Sequence, residues 1–159
     1  MRRRVAIGLA LALGLMATTS TFAQEPETFT SRLDWVPISG AERSDVAGTG
    51  WATAALSRSR LSITGCFEGL PATATRASLH EGVATGARGP AIAELTISNG
   101  ADGTFSGEVT LSREQRTALI AGHLYLQLHA ERGVAPDNAV LWGWLLAGRQ
   151  TPAENCLTR

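Results

Sequence analysis

Most of the chain alternates apolar and polar residues in short runs, which is the pattern of strands in a sheet with one buried face. The clearest run is 123–129, where Leu124, Leu126 and Leu128 alternate with polar or aromatic residues. Turn residues separate the runs, as in the stretch 99–103. We predict strands at 28–35, 50–57, 60–67, 73–80, 91–98, 104–111, 123–129 and 139–146.

One segment interrupts this alternation. Ser112 and Gln115 have the spacing of a capping box, in which the serine is the N-cap and the glutamine the third helical residue. Leu119 and Ile120 supply apolar anchors, and Gly122 is suited to the helix end. The pattern therefore predicts one short helix within an all-β chain, which is typical of a β-sandwich or barrel.

The N-terminus has the features of a secretory signal peptide at residues 1–23. Three arginines precede the apolar stretch 5–16, and the segment ends in Thr21-Phe22-Ala23, a small-x-small cleavage site. Cleavage would remove three of the 14 basic residues and no acidic residue, leaving 11 basic against 14 acidic residues. The sequence predicts a mildly acidic, periplasmic or secreted protein with no membrane span after cleavage and no affinity for nucleic acid.

Two cysteines, Cys66 and Cys156, remain after the predicted cleavage. An even number of cysteines in an exported protein favours a disulfide. We predict a Cys66–Cys156 bond, which would tie the C-terminal tail (151–159) to a central strand. The chain contains no Cys-x-x-Cys motif, so a redox-active pair is not indicated.

Several motifs occur in an order that resembles the chordin-type (CHRD) domain family. They lie at 38–42, 48–52, 79–82, 122–129 and 141–144, with Leu79-His80-Glu81-Gly82 similar to the family's H-I-H-x-G motif. The resemblance implies one domain over 24–150, with an immunoglobulin-like or superoxide-dismutase-like antiparallel β-sandwich fold. Family members in bacteria are mostly exported proteins, and chordin-like proteins use the domain in extracellular binding.

His80 and His129 each end a predicted strand and are candidate ligands for copper or zinc, with Glu81 or His123 as possible further ligands. The alternative is a pair of hydrogen-bonded histidines that stabilise the strand ends. We favour this alternative, because three histidines in the whole chain are few for a metal site.

Trp142 and Trp144 are two residues apart and therefore share one face of a strand, and Trp35 and Trp51 add to the chain's aromatic residues. They are candidates for binding a carbohydrate or a protein partner. The alternative, which we favour, is packing in the core. The sequence lacks the Gly-x-Ser-x-Gly motif of serine hydrolases.

These observations predict an exported, non-catalytic binding or structural module of the bacterial cell envelope, without a required cofactor. Its partner would be an extracytoplasmic protein or a glycan. The alternative function is a periplasmic metal-binding protein that uses His80 and His129.

Overall fold

The computed structural model describes residues 27–148. These residues form strands and one α-helix in the order β1 (Glu27–Trp35), β2 (Thr49–Ser57), β3 (Arg60–Glu68), β4 (Ala74–Glu81), β5 (Ala91–Ile97), β6 (Gly103–Thr110), α1 (Arg113–Ile120), β7 (Leu124–Val134), β8 (Ala139–Trp144) and β9 (Leu146–Ala147). A 3₁₀ helix, Gly40–Glu42, lies between β1 and β2. The last predicted strand, 139–146, forms two strands in the structure: β8 pairs with β7, and β9 pairs with β1.

All the strand pairs are antiparallel, and the sheet closes on itself. The order around the closed sheet is β1, β2, β3, β6, β5, β4, β7 and β8, and β8 pairs again with β1. The result is an eight-stranded barrel to which β9 adds a short edge. Closure of this kind leaves few unpaired strand edges.

The all-β antiparallel fold with one short helix is confirmed, but a sandwich of two separate sheets is not. Two strands change partners along their length and thereby join the two sides. β1 pairs with β2 up to Leu33 and with β8 from Asp34 onward. β5 pairs with β4 up to Leu95 and with β6 from Thr96 onward. Alternation within each strand is the same in a sandwich and a barrel, so the sequence pattern did not distinguish them.

The barrel interior is apolar and is filled from the inward face of each strand. Leu124, Leu126 and Leu128 of β7 are fully buried, as predicted from their alternation. Leu126 lies opposite Leu79 of β4, and Leu128 lies opposite Leu141 of β8. Burying each leucine contributes roughly 1.5–3 kcal/mol. The alternate residues of β4, β7 and β8 therefore point away from the core.

Helix α1 begins and ends as predicted. The Ser112 hydroxyl accepts a hydrogen bond from the Gln115 backbone N–H (3.2 Å), and the Gln115 side chain accepts one from the Ser112 N–H (2.9 Å). Ala118 and Leu119 are the buried residues of the helix. Gly122 follows with a φ of +73°, a left-handed conformation that glycine adopts without strain and that commonly ends helices.

Within residues 27–148, no helix is both long enough and apolar enough to cross a membrane. The predicted signal peptide (1–23) and tail (151–159) lie outside the described residues, so these two predictions stay open.

Candidate functional site

The outward side of β4, β7 and β8 carries a set of polar and aromatic residues that we call the outer face. Cross-strand register aligns them in three rows: His80–Tyr125–Trp144, Ser78–Gln127–Trp142 and Arg76–His129. Two loops, residues 82–90 and 135–138, contribute groups that contact this face. The sequence alternation placed these side chains on one face, and the sheet register brings the three strands side by side.

His129 is buried, with 1% of its surface exposed, and both of its ring nitrogens have partners. Nδ1 lies 2.9 Å from the backbone oxygen of Asp137, so Nδ1 carries the proton and donates it to that carbonyl. Nε2 accepts a hydrogen bond from the side-chain amide of Gln127 at 3.2 Å. A neutral His129 ring thus fastens the loop 135–138 to the outer face.

The Arg76 guanidinium also contacts the His129 ring. Its Nη2 lies 3.1 Å from Nε2 and 3.3 Å from Nδ1, so Arg76 is a second donor to Nε2 beside Gln127. The same Nη2 is 3.7 Å from the Asp137 carboxylate. Burial lowers the pKa of His129; the hydrogen bond to Asp137 opposes this shift, and the positive charge of Arg76 adds to it. The neutral form of His129 is therefore favoured.

His80 holds the other loop by the same kind of contact. Its Nδ1 donates to the backbone oxygen of Gly89 (3.0 Å), and its Nε2 accepts from the Ser78 hydroxyl (2.9 Å). The Tyr125 hydroxyl lies 3.0 Å from both the N–H and the carbonyl oxygen of Gly89, accepting from the first and donating to the second. A Cβ at residue 89 would overlap the carbonyl oxygen of Glu81, so this close approach requires glycine.

The aromatic rings of the outer face form one connected cluster. His80 stacks on Tyr125 with ring centroids 4.8 Å apart, and Tyr125 is 5.1 Å from Trp144. Trp142 meets Trp144 edge to face at 4.7 Å. The guanidinium carbon of Arg88, in the loop 82–90, lies 5.3 Å from the centroid of Trp142. The cluster thus combines aromatic rings with a cation held against one of them.

Trp142 and Trp144 are half-buried. Trp142 packs against the hydrophobic core, while Leu141 and Gly143 take the fully buried inward positions of β8. The favoured prediction of core packing thus holds in part for Trp142, and a binding role of the pair stays a prediction. The other two tryptophans lie apart from this pair. Trp35 is 47% exposed and donates from its indole N–H to the Gly48 carbonyl (2.9 Å), and Trp51 lies beneath Arg32 at 5.4 Å.

An open depression of about 480 Å³ adjoins Trp35. It is lined by Arg32, Asp34, Trp35, Gly48 and Thr49. None of the outer-face residues contributes to this lining. Arg32 and Asp34 already pair with each other at 3.1 Å, and both side chains are more than half exposed.

The candidate metal ligands do not converge. His80 and His129 share the outer face but stand in different rows, and Glu81 alternates with His80 and so faces the other side of β4. His123 precedes β7, where its carbonyl accepts a hydrogen bond from the Gly82 N–H (3.0 Å). Residues 27–148 contain no group of three or more His, Cys, Asp or Glu side chains that could hold a metal ion. Copper or zinc binding stays a prediction.

Cys66 lies in β3 and is buried, with 1% of its surface exposed. Its predicted partner, Cys156, lies outside the described residues. The Cys66–Cys156 disulfide therefore stays a prediction.

The sequence pattern did not indicate Arg88, Gly89 or Asp137 as site residues. All three lie in loops and reach the outer face only because the strands that flank the loops are paired. A signal for Arg88 was present, since it is the one charged residue in the loop sequence 82–90. No local pattern indicated that a backbone oxygen of residue 89 or 137 would accept from a histidine.

The fold and site define an antiparallel β-barrel domain with a polar and aromatic outer face. A family model, the CHRD domain, matches residues 30–135, which is more than half of the chain, and the chain belongs to this family. The predicted family is thus confirmed. No curated protein and no solved structure matches the chain. The family match ends before β8, so Trp142 and Trp144 lie beyond it.

Proposed function

We propose that this protein is an exported, non-catalytic binding module of the bacterial cell envelope. It would recognise an extracytoplasmic protein or a glycan through Trp142 and Trp144. Export is supported by the signal peptide predicted at residues 1–23. Membership of the CHRD family supports a module without enzymatic activity.

The partly exposed pair of indoles carries this proposal. Large aromatic side chains that remain partly exposed are typical of binding surfaces, because they supply contact area with few rotatable bonds. The pair rests on a floor of buried side chains, with Tyr125 at 1% and Gln127 at 3% exposure. A rigid floor lowers the entropy lost when a partner orders the surface.

The hydrogen bonds within the outer face argue against acid–base catalysis by His80 and His129. Each nitrogen of His80 and His129 is already engaged by a protein group, and each ring donates to a loop carbonyl. A general base needs a nitrogen that can reach the substrate proton. We therefore assign both histidines to fastening the loops rather than to chemistry.

Co-sedimentation of the purified protein with envelope fractions tests the proposal. We expect saturable binding by the wild type, and a loss on the order of tenfold in affinity for the W142A/W144A variant, since aromatic anchors dominate binding surfaces. W35A is the matched control, because Trp35 is exposed but lies apart from the pair. Absence of saturable binding by the folded wild type, or equal losses in both variants, would refute the proposal.

A further inference from the structure

Arg88 is an exposed cation at the edge of the indole pair. Its guanidinium carbon lies 5.3 Å from the ring centroid of Trp142. Arg32, Arg60 and Arg76 each have a carboxylate within 4.0 Å, whereas Arg88 has none within residues 27–148. The charge of Arg88 is therefore available to an anionic ligand.

The position of Arg88 is set by its neighbour Gly89. The Gly89 backbone is held by the hydroxyl of Tyr125 and by Nδ1 of His80, each at 3.0 Å. A side chain at residue 89 would overlap the Glu81 carbonyl, so glycine is required for this close approach. The loop backbone next to Arg88 is therefore anchored to the outer face, which reduces the part of the loop that a ligand must order.

Trp144 adds an unused hydrogen-bond donor to the same cluster. Its indole Nε1–H is buried and has no partner within the described part of the chain. A buried donor without a partner is unfavourable. The cluster therefore combines two partly exposed indoles with one cation.

We propose that Arg88, Trp142 and Trp144 bind a uronic-acid unit of an acidic polysaccharide. An indole face packs against the apolar face of a sugar ring, and a guanidinium binds a carboxylate through paired hydrogen bonds. A stable protein interface buries about 800 Å² per partner, far more than two partly exposed indoles supply. This inference rests on the proposed function and specifies its ligand.

The family match does not account for this ligand. It covers residues 30–135 and therefore includes Arg88 but not the two tryptophans of β8. Affinity for an acidic glycan would thus depend on residues that this chain adds beyond the matched region. The predicted mature chain is itself mildly acidic, so the attraction would be local to Arg88 and should weaken as salt is added.

Isothermal titration calorimetry with galacturonic-acid oligomers tests the inference. The methyl-esterified oligomers, which lack the carboxylate charge, serve as the control ligand. For the wild type we expect the acid to bind on the order of tenfold more tightly than the ester. R88Q should lose that preference while still binding the ester, and W142A/W144A should bind neither. R43Q, which removes an exposed arginine elsewhere, should resemble the wild type. Circular dichroism of each variant checks that it is folded.

Two results would overturn the inference. One is equal affinity for the acid and the ester, and the other is equal affinity of R88Q and R43Q for the acid. If no oligomer binds but sedimentation with the envelope still depends on Trp142 and Trp144, the proposed function stands and the acidic glycan is wrong. If sedimentation also fails, both proposals are wrong. If a purified envelope protein binds instead, the ligand is a protein.

Discussion

At the scale of single residues, two histidines explain how the outer face holds its loops. His80 donates to the carbonyl of Gly89 and His129 donates to that of Asp137, each from Nδ1. Each Nε2 accepts from a neighbouring side chain on the same face, Ser78 or Gln127. A neutral imidazole satisfies both contacts, because it has one donor and one acceptor.

Protonation of His129 should destabilise the protein. Its folded pKa is lowered from about 6.5, first by burial, so the unfolded chain binds the proton more tightly. The contribution of His129 to the free energy of unfolding is fully present above about pH 6.5, and it is lost as the pH falls through the lowered folded pKa. Urea unfolding at several pH values between about 7.5 and 5 measures this loss.

The variant H129Q should show a smaller loss of stability over that pH range than the wild type. The control H123Q removes a histidine that lies outside the three rows of the outer face, and it should keep the wild-type dependence. An unchanged pH dependence in H129Q would show that another group is responsible.

Metal binding by the same histidines is tested by elemental analysis of protein purified without a histidine tag. We expect copper and zinc to be far below one ion per chain, because both nitrogens of each ring already have hydrogen-bond partners. Stoichiometric metal that is lost in both H80A and H129A would instead establish the metal-binding alternative.

Gly89 should tolerate no side chain. In G89A the added methyl group would meet the Glu81 carbonyl, and relief of this overlap requires the loop to shift, at a cost on the order of 1–3 kcal/mol. G40A is the matched control, since a Cβ at Gly40 meets nothing within 4 Å. Thermal or urea unfolding compares the two. Equal stability would show that the loop is held less closely than the structure indicates.

At the scale of elements, two serines precede short helices and cap them in different ways. Ser112 both accepts from the Gln115 N–H and donates to the Glu114 carboxylate (2.9 Å). Ser39, before the 3₁₀ helix, donates from its N–H (2.8 Å) and hydroxyl (2.9 Å) to the Glu42 carboxylate. These contacts lower the pKa of Glu42. Of these two helices, only α1 has buried residues, Ala118 and Leu119.

Removal of the two serine side chains should therefore have unequal effects. S112A should cost about 1 kcal/mol of unfolding free energy, because it leaves a helix N–H without its acceptor. S39A should cost less than about 0.5 kcal/mol, since its helix is short and has no buried residue. Urea unfolding measures both. A larger loss in S39A would contradict this ranking.

At the scale of the whole molecule, closure of the sheet depends on β1 and β5. Each pairs with a different neighbour at its two ends, so the two sides of the barrel share their strands. The chain from Cys66 to the tail passes through most of this barrel. A bond from β3 to residue 156 would close a long loop in the unfolded state.

The predicted Cys66–Cys156 disulfide should stabilise the protein by about 4 kcal/mol in the chain-entropy model. Urea unfolding with and without a reducing agent measures this difference. Mass spectrometry of a digest made without reduction should find the two cysteine peptides linked. Separate peptides that react with an alkylating agent before reduction would contradict the prediction.

Much of the fold could be predicted from sequence because it depends on local regularities. The alternation of Leu124, Leu126 and Leu128 indicated a strand with one buried side, and Ser112 with Gln115 indicated the start of α1. The candidate site was predicted in part. His80, His129, Trp142 and Trp144 were singled out, but Arg88, Gly89 and Asp137 were not, because loop contacts depend on which strands are neighbours.

The sequence by itself determined the strands, the helix and the family. It also determined that His80 and Ser78 share one face of β4, and that Tyr125 and Gln127 share one face of β7. Side-chain period and capping are local properties, and a single chain segment expresses them. Only the tertiary structure decided that the sheet closes, that Trp142 and Trp144 point outward, and that Arg88 lies beside them. Those outcomes depend on pairing between distant segments, and alternation alone does not say which of its two faces will be buried.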